Sequence, residues 1–94
     1  NNCVIKMEQA LDMALSSKPF VKGALIADQN GLCIAAKGEL GSELSGRFCS
    51  ISKTAGTLDS DQAAPSVLIE TGDRNILVKE YDSLTVVLRI ERST

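Results

Sequence analysis

Histidine and tryptophan are absent from this sequence, and its aromatic residues are limited to Phe20, Phe48 and Tyr81. Each absence removes chemistry. Without an imidazole, the serines and cysteines lose their commonest general base, and no lysine-based substitute motif stands in for it. Cys3, Cys33 and Cys49 are odd in number and far apart, with no CxxC pair, so they do not supply the four spaced ligands of a zinc site. So few aromatics offer nucleobases little to stack on. Lys6, Lys18, Lys22, Lys37, Arg47 and Lys53 are scattered, and the formal net charge is -2. No basic run is available to line up on phosphates or an acidic membrane. No apolar stretch approaches the roughly 20 residues that span a bilayer. The opening NNCVIKMEQA has neither a signal-peptide core nor a Met-Gly start. If the protein works at a membrane, another chain must hold it there.

What is present is ordinary globular material. A length of 94 residues suits a single domain spanning residues 1–94, and 44% hydrophobic against 23% charged residues is enough apolar matter for a modest core. The cysteines read as small buried hydrophobes of a reducing compartment, which points to the cytosol.

Met7, Leu11, Ala14 and Leu15 recur at helical spacing over residues 4–16, and Pro19 ends the pattern. Residues 23–27 form a short apolar strand. Asp28-Gln29-Asn30-Gly31 follows, and Asn-Gly predicts a tight hairpin because both residues tolerate positive φ. Residues 32–37 return as the second strand, apolar and uncharged up to Lys37. After Gly41 or Ser42 as cap, Leu44, Phe48, Ile51, Ala55 and Leu58 make a stripe that predicts a long helix with these residues in the core. The polar residues 59–62 should end it. Residues 67–70, 76–79 and 84–90 then read as a three-strand meander. The predicted fold is α/β with a five-stranded, largely antiparallel sheet. Strands 23–27 and 84–90, the most apolar, belong at its centre, and strand 67–70 behind Pro65 suits an edge.

Two further patterns invite chemistry. Residues 41–48 match the glycine spacing of a phosphate-binding loop, but Arg47 replaces its lysine, Phe48 its magnesium-binding hydroxyl, and Glu43 adds negative charge. Asp59 with Asp61, and Glu70 with Asp73, are the nearest approach to paired carboxylates, and both pairs read as solvated turn charges. No cofactor, no metal and no catalytic residue is expected, and the chain reads as a non-enzyme.

Three segments, ALIADQNGLCIAAKGEL, GSELSGRFCSISKTAGTLDSD and PSVLIETGDRNILVKEYDSLTVVLRI, together resemble the roadblock/longin-type family of small dimerising domains, and within it the Ragulator subunits. The resemblance runs from Met7 onward. Met7-Glu8-Gln9 is similar to a natural start, which leaves residues 1–6 as an extension or a disordered lead. The resemblance implies a sheet order of 2-1-5-4-3, with a short N-terminal helix and one long helix between strands 2 and 3. Many members end in a third helix, whereas no C-terminal helix is expected here, a departure from the wider family. The resemblance places residues 32–37 on an edge and implies that Leu32, Cys33, Ile34, Ala35 and Ala36 pair with a partner chain in one shared sheet. Family members also pack their long helices side by side. Ser45, Cys49, Ser52 and Gly56, a row of small residues, would permit that approach unless they simply face solvent. The implied function is a non-catalytic scaffold subunit on the cytosolic face of the late endosome or lysosome. It would heterodimerise with another roadblock-type subunit, be wrapped by a lipid-anchored one, and support Rag GTPases and mTOR complex 1 in amino-acid signalling.

Two alternatives come from other classes. One is a homodimeric roadblock-type GTPase regulator or dynein light chain, and self-association of the lone chain would mark it. The other is a small enzyme or a profilin-like ligand binder, which the missing catalytic groups disfavour.

Overall fold

The computed structural model of the chain describes residues 2–58 and 65–91, with side chains from residue 5 onward. Helix α1 (Asn2–Ser17) leads into strands β1 (Val21–Ala27) and β2 (Cys33–Gly38). A 3-10 turn at Ser42–Leu44 runs into helix α2 (Ser45–Gly56), and strands β3 (Ser66–Thr71), β4 (Arg74–Tyr81) and β5 (Leu84–Glu91) follow. Neighbouring strands are all antiparallel, in the order β2-β1-β5-β4-β3 expected from the resemblance. Helix α1 takes in residues 2–6 and stops at Ser17, ahead of Pro19, where the Val21 N–H donates to the Lys18 carbonyl at 3.0 Å. The polar stretch 59–62, including Asp59 and Asp61, lies outside the described residues.

Alternation along the strands sorts the apolar residues into two layers. Ala36, Leu25, Val87, Val78 and Val67 stand in register across all five strands. With Ala27, Leu40 and Phe48 they form the core beneath α2. Leu25, Val78 and Val87 are fully buried, each stabilising the fold by about 1.5–3 kcal/mol. On the opposite face, Leu11 of α1 packs on Ala24, Ile26 and Ala35, flanked by Met7, Ile34, Leu84 and Leu88. The two alanines let α1 settle close over β1 and β2.

The first hairpin differs from the tight Asn-Gly turn that its sequence predicts. Only Gly31 takes a positive φ, 86°, while Asn30 stays on the negative side. The Gly31 N–H donates to the Asp28 carbonyl at 3.0 Å, and the Asp28 N–H to the Leu32 carbonyl at 2.9 Å. Asp28 Oδ1 also accepts the N–H groups of Asn30 and Leu32, at 2.9 and 3.0 Å. The Asp28 carboxylate therefore sets a wider turn than glycine alone would. As a result β2 begins at Cys33, leaving Leu32 in the loop, and the register shifts between Ile26 and Ala27. A two-residue turn with both φ values positive occurs instead at Asp82 and Ser83 (53° and 66°), between the paired Tyr81 and Leu84.

Candidate partner interface

Strand β2 lies at one end of the sheet and pairs with β1 alone among the described residues. Its outer row of backbone N–H and C=O groups therefore faces away from the sheet, and residues 33–36 put no charge or proline on that row. The other end strand, β3, carries Ser66, Glu70 and Thr71 behind Pro65. Ala35 is buried beneath α1, Cys33, Ile34 and Ala36 are half-buried, and Leu32 stands 67% exposed at the head of the strand. Burial pushes the Cys33 thiol up from its ordinary pKa, outweighing a backbone hydrogen bond from Ala35 that acts the other way. This makes Cys33 a side chain of the edge rather than a ready nucleophile.

The faces of α2 depart from the sequence expectation everywhere but at Phe48 and Ala55. Ser45, Cys49 and Ser52 are buried (6%, 4% and 2% exposed) against the chain's own sheet and first hairpin. Gly56 is half-buried, with no atom near where a Cβ would stand. Of the large stripe, only Phe48 enters the core; Leu44 and Ile51 are 36% exposed and Leu58 85%. The cause is the hairpin loop. A Cβ on Gly31 would lie 3.1 Å from Gly46 Cα, so loop and helix approach backbone to backbone and only small side chains fit between them. Ser45 Oγ donates to the Gly31 carbonyl at 2.7 Å, and Cys49 Sγ lies 3.9 and 3.8 Å from the carbonyls of Asp28 and Gln29. Sequence reasoning missed the exposure of Leu44, Ile51 and Leu58: Ile51 lies on α2, Leu44 closes the 3-10 turn before it and Leu58 follows its end.

A second apolar surface lies beyond α1. Leu77, Lys79, Tyr81, Val86 and Leu88 line an open recess on that face of β4 and β5. Leu68 of β3, opposite Leu77, is 54% exposed, and Tyr81 is 72% exposed. At another end of the sheet, Lys22, Arg74 and Arg89 mingle with Glu39, Asp73 and Glu91 around a polar hollow. Lys22 pairs with Glu91 at 3.6 Å and Arg74 with Asp73 at 3.8 Å, while the Arg89 guanidinium donates to the Glu39 backbone carbonyl at 2.7 Å. In the glycine-spaced loop, the Glu43 carboxylate folds back against Gly41, carrying negative charge where a phosphate would have to enter. Among the described residues, no three His, Cys, Asp or Glu side chains group as metal ligands, and no helix is long and apolar enough to cross a membrane.

Solved structures share this fold. A Roadblock/LC7 domain from Streptomyces avermitilis superposes with a TM-score of 0.78 at 13% identity, over 92% of this chain and 78% of that one. Myxococcus xanthus MglB gives 0.80 at 17% identity, over 94% and 71%. Schizosaccharomyces pombe profilin gives 0.69 at 13% identity, over 93% and 82%. At such identities the likeness is one of fold, and profilin's presence among them shows how little fold alone says about function. The sequence carries the family: a model described as "Ragulator complex protein LAMTOR5" matches residues 5–90. The chain belongs to the Ragulator complex protein LAMTOR5 family, that of the subunit also known as hepatitis B X-interacting protein.

Proposed function

We propose that the chain is a non-catalytic scaffold subunit that heterodimerises with another roadblock-type Ragulator subunit through the outer edge of β2, with the exposed Leu44, Ile51 and Leu58 on and around α2 beside it. The observation that carries this reading is the apolar strand β2, unpaired on its outer side among the described residues and free of charge from Cys33 through Ala36. A partner strand added there satisfies the open backbone groups and extends the sheet. Leu44, Ile51 and Leu58 supply the apolar contact that backbone pairing alone lacks. Family membership supports placing this pair in a complex on the lysosomal surface. There a lipid-anchored subunit would wrap it, and Rag GTPases and mTOR complex 1 would be engaged through the assembly rather than by this chain alone.

The test pairs co-expression with a strand-breaking variant. Co-expressed with candidate roadblock subunits, the chain should elute as a one-to-one complex by mass measurement. Ile34→Pro removes a backbone donor and distorts the edge, and should lower partner affinity at least about tenfold, a loss of ~1.4 kcal/mol. An Ile34→Pro chain that keeps its circular dichroism spectrum and its affinity would sink the shared-edge reading. A stable homodimer that ignores every candidate partner would favour the homodimeric roadblock alternative.

A further inference from the structure

Asn30 stands exposed at the tip of the first hairpin and is followed by Gly31. Its backbone N–H is held by Asp28 Oδ1 at 2.9 Å, but its side-chain amide makes no hydrogen bond among the described residues. Gly31, at a φ of 86°, has no side chain to shield its amide nitrogen. The geometry points to Asn30–Gly31 as a self-modification site, a spontaneous deamidation held in check by a row of side chains on α2.

The step needs only water. The Gly31 nitrogen gives up its proton and attacks Asn30 Cγ, the Cγ–N bond breaks, and ammonia leaves as a five-membered succinimide closes. Water then opens the ring. Addition at Cγ yields an aspartyl residue, and addition at the main-chain carbonyl yields an isoaspartyl linkage with one extra carbon in the backbone. Nothing is oxidised or reduced.

In the folded loop the attacking nitrogen is occupied, because its N–H donates to the Asp28 carbonyl at 3.0 Å. The loop is in turn fastened to α2. Ser45 Oγ donates to the Gly31 carbonyl at 2.7 Å, and Lys53 Nζ to the Gln29 carbonyl, also at 2.7 Å. Cys49 Sγ sits between them, 3.8 Å from the Gln29 carbonyl. Ser45, Cys49 and Lys53 are four residues apart, so they form one row of the helix. The Gly31 nitrogen can swing onto Cγ only after the loop leaves this row, so conversion proceeds through local opening and its rate measures the latch. Each product places a carboxylate at the head of β2, and the isoaspartyl form also lengthens the turn out of register with Ser45 and Lys53. Weaker pairing along β2 is the consequence, and this consequence alone rests on the shared-edge reading above.

The experiment incubates the purified chain at physiological temperature over a neutral to alkaline pH series and maps peptides by mass spectrometry, with isoaspartyl methyltransferase labelling to separate the products. Asn30 should convert ahead of Asn75 and the glutamines, faster as pH rises. Ser45→Ala and the exposed Lys53→Met should each speed conversion about fivefold, the factor that one ordinary hydrogen bond allows. Asn30→Gln should abolish it. An Asn30 that stays intact while a urea-unfolded sample converts would overturn the site. Equal rates in wild type, Ser45→Ala and Lys53→Met would overturn the latch. Converted and unconverted chains of equal partner affinity, alongside an Ile34→Pro chain that has lost binding, would refute the consequence and leave the shared edge standing.

Discussion

Asp82 and Ser83 are the only non-glycine residues with positive φ among those described, and they sit side by side in the β4–β5 turn. A two-residue hairpin of this hand requires positive φ at both positions, which ordinary side chains adopt at a cost of about 1–2 kcal/mol each. Ser83→Gly should relieve one such cost, while the flexibility it adds to the unfolded chain takes back part of the gain. The net expectation is a stabilisation of about 0.5–1 kcal/mol, read as a higher urea midpoint with an unchanged slope. A lower midpoint would mean that the Ser83 side chain contributes more than its backbone costs. Residue-level legibility failed in a telling way at these two turns. Asn30-Gly31 has the stronger composition for a tight turn, yet the Asp28 carboxylate captures two N–H groups and builds a wider one. Asp82-Ser83 has the weaker composition and makes the tight turn, because the pairing of Tyr81 with Leu84 leaves room for only two residues. Propensity yields to strand register.

At the scale of elements, the type and order of every helix and strand were legible, because each carries its own hydrophobic period and its own breaker. The rotation of α2 about its axis was not. Apolar residues at 44, 48, 51, 55 and 58 and small ones at 45, 49, 52 and 56 both satisfy helical spacing, so periodicity alone does not say which row faces in. What decides it is a contact distant in sequence, the approach of the 28–32 loop to Gly46, and no local pattern announces that. The resulting faces make a paired prediction. Cys49→Arg would bury a charge and a long side chain beneath the hairpin, beside carbonyls spaced for a small group. It should destabilise the fold by several kcal/mol, on the order of 3–5 for an uncompensated buried charge, visible as loss of the cooperative thermal transition. Ile51 is exposed on α2, so Ile51→Arg should leave thermal unfolding within about 0.5 kcal/mol of wild type, while weakening partner binding through desolvation of the new charge. If Ile51→Arg unfolds the chain and Cys49→Arg only blocks binding, the outward assignment of Leu44, Ile51 and Leu58 is wrong.

For the molecule as a whole, the question is how much of the sheet its helices cover. Strand order came from the resemblance rather than from local pattern, since the sequence alone marks central and edge strands but does not pair them. The amount of cover, by contrast, follows from counting. Helix α2 closes one face from β1 across to β3, whereas α1 lies over β1 and β2 on the other. Along β5, Thr85 and Val87 are buried under α2, while Val86 and Leu88 point to the other face and are only half-buried. Beside them Leu77, Tyr81 and Leu68 widen an apolar surface on the half of the sheet that α1 does not reach. Contiguous exposed apolar area on a small domain usually marks a contact with another chain. Pairing along β2 leaves this area untouched, because β2 and β3 are opposite ends of the sheet. A second chain, distinct from the strand-pairing partner, should therefore lie over β4 and β5 next to α1, and in the assembly proposed above the wrapping subunit would be the one to do so. Hydrogen exchange on the heterodimer, with and without the remaining subunits, tests this directly. Strand pairing alone should protect β2 and α2, and the complete assembly should add protection at α1, β4 and β5. Full protection of β4 and β5 already in the heterodimer, with nothing gained on assembly, would show that the two-chain unit covers its own sheet and that the wrapping subunit docks elsewhere.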